Sequence, residues 1–152
     1  MECTELKPEI CSCLALRQAA RVVTQFYDQH LAASRLRTTQ YSILARLKRL
    51  GPMAINSLAA ELVMDRTTLG RNILPLERDG LVRVRQNATD ARSRNLELTA
   101  KGATRLRTAR AGWVEAQKHF DVAFGGENAA ELRELLKSVV TSALGATPQN
   151  EE

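Results

Sequence analysis

With 152 residues, 44% of them hydrophobic and 4% aromatic, the chain has the size of one globular domain, and its Ala- and Leu-rich apolar set suits helix packing better than a β-sandwich. A net charge of +5 makes nucleic acid the leading partner. No apolar run approaches the ~18 residues of a membrane span, and Met1-Glu2-Cys3-Thr4-Glu5 shows no basic region leading into an apolar run, so a cytoplasmic protein with no membrane partner is expected, its three cysteines as thiols.

Helical spacing is visible first over roughly residues 10–33, where Ile10, Leu14, Val22, Phe26 and Leu31 recur. A second helix is predicted from about Thr39 to Leu50, with Ile43, Leu44, Leu47 and Leu50 on its stripe and Gly51-Pro52 ending it. Asn56 is placed to cap a short helix that buries Leu58, Ala59 and Leu62, and Val63-Met64 make a turn. Asp65 then caps a helix in which Leu69, Ile73 and Leu76 share one face; Pro75 should bend or loosen its last turn, and Gly80 ends it. Val82 and Val84 alternate with Arg83 and Arg85, and Leu96 and Leu98 with Asn95, Glu97 and Thr99, which predicts two short strands around a hairpin loop from Gln86 to Arg94. Thr99 can cap a long helix to about Phe124, broken by Gly125-Gly126, before a last helix from about Asn128 to Leu144 and a polar tail from Thr147. The apolar faces of the first and last helices exceed what one small lobe can cover, so a dimer is expected.

The order of short helix, turn, capped helix, strand and arginine-tipped loop is the layout of a winged helix-turn-helix, and the charge follows it. Between Arg66 and Arg110 there are 11 Lys/Arg against 4 Asp/Glu, whereas the rest of the chain is slightly acidic. The second helix of such a motif presents its first turns to base edges in the major groove. Arg66, Thr67, Thr68 and Arg71 are therefore the contact candidates, and Gly70 permits close approach. Arginine can take guanine bidentately, and the threonines offer a hydroxyl to phosphate and a methyl to thymine. Arg92 and Arg94 flank the tip of the loop, where a guanidinium suits a narrow minor groove. Ser57 can reach a phosphate or serve as a helix cap. No phosphate-cradling glycine loop, zincin motif or nucleophile elbow is present, so no enzyme and no cofactor are expected. His30 and His119 stand far apart and read as surface or interface residues, and no metal site is expected.

The run Leu58-Ala59, Leu62, Asp65-Arg66-Thr67-Thr68, Leu76-Glu77, Gly80-Leu81-Val82, Asp90-Ala91-Arg92 and Leu96-Glu97-Leu98-Thr99-Ala100-Lys101-Gly102 resembles the MarR family of bacterial transcription regulators, over essentially the whole chain. The resemblance implies a mostly helical α+β winged helix-turn-helix in a single domain, 1–152. Dimerisation helices would span about 10–36 and 102–145, with a DNA-binding lobe at about 39–99. It implies a homodimer on a palindromic double-stranded operator, usually as a repressor, with Arg92 in the minor groove and Asp90 orienting the wing. Val84 departs from the pattern, because members often carry an arginine there that can partner the wing aspartate.

For the signal, Cys11 and Cys13 form a C-x-C at the start of the first helix, where i and i+2 stand about 200° apart if both are helical. Cys13-Leu14-Ala15-Leu16 with Tyr27 fourteen residues on is similar to the organic hydroperoxide sensors of this family, which implies a reactive cysteine supported by tyrosines of the partner subunit. Tyr27 matches one of these, while Arg17 and Thr38 stand where two others would be; Arg17 favours a thiolate electrostatically. Thiol oxidation or electrophile attack at Cys13 or Cys11 is thus the favoured signal. Soft-metal capture with Cys3, a small aromatic or phenolic ligand between the dimerisation helices and the lobe, and inert thiols stay open. A protein-binding adaptor without DNA affinity is the reading from another class.

Overall fold

The computed structural model describes residues 8–142 and 144; Cys3 and the tail from Thr147 lie outside them. The elements run α1 (Ser12–Leu31), α2 (Thr38–Leu50), β1 (Met53–Ala54), α3 (Ile55–Glu61), α4 (Arg66–Arg78), β2 (Val82–Gln86), β3 (Arg94–Leu98), α5 (Ala100–Phe124) and α6 (Gly126–Thr141). The expected first helix is thus divided: single 3-10 turns at Pro8–Ile10 and Ala32–Ser34 flank α1. The three strands form one antiparallel sheet in the order β1-β3-β2. Two compact units divide the chain, one ending at Trp113 and one beginning at Val114, so the boundary falls inside α5.

In the first unit, the faces read from the periodicity close on one another. Leu31, Ile43, Leu44, Leu47, Leu58, Leu69, Ile73, Leu76, Leu81, Val82 and Leu96 are buried together. Asp28 of α1 holds the first residue of α2 by accepting both the Thr38 amide (2.7 Å) and its hydroxyl (2.8 Å), while Arg37 is the cap residue and its amide donates to Gln40 Oε1 (3.0 Å). The expected cap at Asn56 is not formed. β1 pairs Met53 with Leu96 and Ala54 with Asn95, which carries the chain in extended form up to Ala54. The helix then begins at Ile55, with Ala54 as its cap residue and Asn56 already inside its first turn. The last helix likewise starts earlier than expected, at Gly126, and stops at Thr141, short of Leu144.

The end of α4 is a Schellman turn. The Gly80 amide donates to Glu77 O (2.9 Å) and the Leu81 amide to Leu76 O (2.8 Å), with Gly80 at φ +72° where a glycine carries no steric cost. The start of α5 is locked onto this turn. Thr99 Oγ1 donates to Gly80 O (2.7 Å) and accepts the Gly102 amide (3.0 Å). A methyl at Gly102 would collide with the Leu81 carbonyl and the Leu98 side chain, so the Leu-Thr-x-x-Gly sequence is a steric requirement of the strand-to-helix junction.

In the second unit, Arg133 of α6 pairs with Asp121 of α5 (3.7 Å), Phe120 stacks on Phe124, and Ala116 and Ala129 are buried. Leu135, Leu136, Val139 and Val140 of α6 are all exposed. No helix among the described residues is long and apolar enough to cross a membrane.

Candidate nucleic-acid interface

Helix α4 has one buried and one bare face. Leu69, Ile73 and Leu76 point into the core, while Arg66, Thr67, Thr68 and Arg71 are exposed. Asp65 fixes the helix start: its carboxylate accepts the Thr68 hydroxyl (2.6 Å) and the Thr68 amide (2.8 Å). The hydroxyl bond first, and the amide bond second, hold the Asp65 carboxyl below its usual value of 3.8. Thr68 therefore gives its hydroxyl hydrogen to the cap, leaving Arg66, Thr67 and Arg71 as the donors displayed toward a groove. A methyl at Gly70 would meet nothing within 4 Å. Packing inside the chain does not require that glycine, although a glycine in a helix costs about 1 kcal/mol against alanine. The bend expected at Pro75 does not end the helix, which continues to Arg78 because the proline removes only the bond to Arg71 O. Ser57 is exposed at the third position of α3, not at its cap. The turn between α3 and α4 places Val63, a β-branched residue, at φ +52°.

In the wing, Asp90 Oδ1 accepts the Arg92 amide (3.0 Å) and Asp90 O accepts the Ser93 amide (3.0 Å), so Asp90 shapes the tip that carries the exposed Arg92 and Arg94. Gln86 Nε2 donates to Ala91 O (2.7 Å) across the same loop. Val84 leaves the brace of the wing open in the sequence, and the structure supplies it elsewhere. Arg83 stands opposite Glu97 in the register and forms a two-pronged bond to it (2.8 and 2.9 Å), with Arg85 Nε at 3.2 Å. The Arg83 bond is the main reason that the Glu97 carboxyl lies below its usual value of 4.5. Sequence reasoning missed Glu97; the signal was its cross-strand opposition to two arginines on the solvent face.

The region from 36 to 93, which holds both the capped helix and the wing tip, matches the sequence pattern of the MarR family. The transcriptional regulator MosR of M. tuberculosis, solved in complex with DNA, is 37% identical over 85% of this chain and 98% of its own, with a TM-score of 0.71. The chain belongs to the MarR family of transcriptional regulators. A second crystal structure of M. tuberculosis MosR aligns at 33% identity over 88% of this chain and 98% of its own, with a TM-score of 0.74. The PcaV regulator of Streptomyces coelicolor, solved with its natural ligand, shares the fold at 17% identity and a TM-score of 0.80, over 91% of this chain and 97% of its own. No curated protein matches the chain by sequence. As a MarR-family member the chain is a DNA-binding transcription regulator.

At the other end of the first unit, Cys11 is not helical. It is the cap residue of α1, extended at ψ 101°, and its Sγ accepts the Leu14 amide at 3.4 Å. Cys13 follows in the first turn, and both thiols are exposed and free. The 200° separation that holds for two helical residues does not apply, because only Cys13 is inside the helix. Arg17 lies one turn beyond Cys13 on the same face. Tyr27 is fourteen residues along the same continuous helix, roughly 21 Å away, and its ring stands edge-on to Phe26. The structure thus brings Cys11, Cys13 and Arg17 together and leaves Tyr27 of the same chain out of their reach.

Proposed function

We propose that the chain acts as a homodimeric repressor on a palindromic operator and leaves it when its N-terminal thiols are oxidised. The observation that carries this reading is the position of Cys11. Its sulfur accepts a backbone N–H at the start of a 20-residue helix, two residues from a second exposed thiol. A helix N-terminus stabilises an anion, and the thiolate is the nucleophilic form. The Cys13 thiol gives its proton to the leaving oxygen as its sulfur attacks the other peroxide oxygen; the O–O bond breaks, alcohol or water leaves, and the sulfur becomes a sulfenic acid. The Cys11 thiol, or a cysteine of the partner subunit, then forms a disulfide with loss of water. Closing that bond displaces Cys11 from its cap and shifts α1.

A dimer is supported by the apolar surface each unit leaves bare. In α1 and the turn before it, Ile10 and Val22 are each 67% exposed, and in α6 Leu135 and Val140 are more than half exposed. Two lobes are also what a two-fold operator needs. Residues 1–152 then act as one functional domain, with residues 10–36 and 102–145 pairing the subunits. Tyr27 of the partner subunit is then the tyrosine available to Cys13.

The test is an operator-binding titration with peroxide on the wild type, Cys13→Ser and Cys11→Ser, with oxidation confirmed by mass. Release of the wild type and retention of either serine variant is expected. A wild type that keeps full affinity after oxidation sinks the thiol reading.

A second reading rests on a different observation. Tyr41 and Trp113 stack nearly parallel, ring centroids 6.0 Å apart. Burial pushes the Tyr41 phenol above its usual value, with Arg110 opposing it. A flat aromatic acid or phenol could slide against this pair and reach the guanidinium. Trp113 is the chain's single tryptophan, so its fluorescence reports such a ligand directly. Saturable quenching by hydroxybenzoate, with release from the operator, favours this reading over the thiols.

A further inference from the structure

We infer that the groove between the α1–α2 turn and the first turns of α5 is a binding site for a phosphoryl group carried by a small molecule. The groove has a volume of about 330 Å³, and Ser34, Arg35, Lys101, Thr104, Arg105 and Thr108 line it. Three of these six side chains are cations and none is an acid. Among the described residues, none of the three cations lies within ion-pair distance of a carboxylate, whereas Arg37, Arg46, Arg49, Arg78, Arg83, Arg85 and Arg133 all do. Lys101 and Arg105 instead donate to main-chain carbonyls, Lys101 Nζ to Asp79 O (2.7 Å) and Arg105 Nη1 to Ser34 O (3.2 Å). A concave surface with three cations and no counter-charge favours an anion, and a dianion more than a monoanion.

The local backbone is built around this. Arg35 sits in the left-handed region at φ +57°, ψ +31°, held by its amide on Ala32 O (2.9 Å) and by the burial of Ser34 and Leu36 on either side. The conformation costs an arginine on the order of 1 kcal/mol that a glycine would not bear. It lets Ser34 and Leu36 go inward while Arg35 stays on the rim. From α5, residues 101, 104, 105 and 108 recur at one helical stripe, so Lys101, Thr104, Arg105 and Thr108 line the same groove, with the Thr108 hydroxyl donating to Thr104 O (3.1 Å).

Lys101 connects the groove to DNA binding. Asp79, whose carbonyl it holds, is the C-cap of the recognition helix α4. An anion that recruits the Lys101 ammonium removes a cation from the negative end of that helix and frees its last turn. Occupancy of the groove should therefore weaken operator binding, independently of the state of the thiols.

The experiment is an amide chemical-shift titration of the whole, reduced protein with inorganic phosphate, glycerol 3-phosphate and benzoate at constant ionic strength. Saturable shifts confined to residues 33–36, 79–81 and 101–108 are expected with both phosphates, and tighter for the ester if a small molecule is the natural source. Charge-assisted hydrogen bonds of this kind make Arg105→Gln and Arg35→Gln each weaken phosphate by about tenfold. Arg35→Gln is the safer variant, since its side chain holds no backbone group, and circular dichroism confirms that both fold. Saturating glycerol 3-phosphate should lower operator affinity of the wild type several-fold, but not that of Arg35→Gln at the same concentration. Shifts that spread equally to Arg66, Arg71 and Arg92, or that survive both substitutions, overturn the proposal. So does equal or tighter binding of benzoate. If the two variants weaken operator binding while free phosphates give no saturable shift, the cations serve the DNA backbone and the small-molecule site is refuted.

Discussion

Two glycines on helices give opposite expectations for one substitution. At Gly70 a methyl meets open space, so Gly70→Ala should gain the helix propensity of alanine, about 1 kcal/mol. For a chain of this size that raises the melting temperature by about 2–4 °C. At Gly102 the methyl meets the Leu81 carbonyl and the Leu98 side chain, and moving away breaks the Thr99–Gly102 bond. Overpacking costs about 1–3 kcal/mol and the lost bond about 1 more, against a propensity gain of at most about 1. The net loss of about 1–3 kcal/mol lowers the melting temperature by about 2–12 °C. Thermal unfolding at 222 nm, at one protein concentration, measures both. The more stable Gly70→Ala should nevertheless bind operator about tenfold more weakly, because the methyl holds the α4 backbone away from the groove floor and a base contact is worth about 1–3 kcal/mol. If Gly102→Ala is as stable as the wild type, the steric account of the junction fails. If Gly70→Ala keeps full operator affinity, close approach at that position is wrong.

Other expectations follow from the same geometry. Arg71→Ala should change base preference by about 1–3 kcal/mol at one position. Arg92→Ala should instead flatten the salt slope by about one ion, or cost most on A·T-rich flanks; titrations at several salt concentrations on two operators separate these outcomes. Glu97 titrates below its usual 4.5 because Arg83 holds it, and Asp65 below 3.8 because Thr68 does. Both contribute stability that is fully present above those ordinary values and is lost as pH falls through the depressed native ones. Glu97→Gln should therefore flatten the acid limb of a stability–pH curve between pH 5 and 3, as read by urea unfolding. Val63→Gly should stabilise the fold by about 1 kcal/mol, since a β-branched residue at φ +52° is strained, and an unchanged urea midpoint would contradict that.

What the sequence shows well here is anything with a repeated signature. The stripe Leu69, Ile73, Leu76, the alternation of Val82 and Val84, and the Asp65 cap each involve a periodicity or a residue type that only one local structure satisfies. β1 was invisible, because two residues carry no period and its pairing partners, Leu96 and Asn95, lie forty residues away. That missed strand also explains the misplaced cap at Asn56: the helix start was set by a tertiary pairing and not by a capping side chain. Cys11 shows the same limit at the other end, where the helix starts at Ser12 and not near residue 10, which makes the Cys11 sulfur the cap. Arg66, Arg71 and Arg92 stood out as a charge pattern on the order of elements, Asp90 came from the family resemblance, and the structure leaves all four side chains exposed. Glu97 and the Arg35, Lys101 and Arg105 groove were not legible, since each depends on side chains brought together across strands or from distant segments.

The recognition helix, the wing and α5 meet at one small node. Gly80 ends α4, Leu81 leads into β2, and Thr99 follows β3, binding the carbonyls of both Gly80 and Leu81 while it caps α5. Lys101 adds a fourth tie, to Asp79. Other ties join α5 to the lobe through α2, where Trp113 stacks on Tyr41 and Ala109 enters the core, but this node is the one that holds the end of α4 itself. A movement of the first turn of α5 cannot be absorbed locally, because Gly102 already rests against Leu81 with no room for a methyl. At this junction it passes into the end of α4 and the start of β2. Under the proposed function, this junction is a physical route by which a signal received on the helices would change the angle at which α4 and the wing meet DNA.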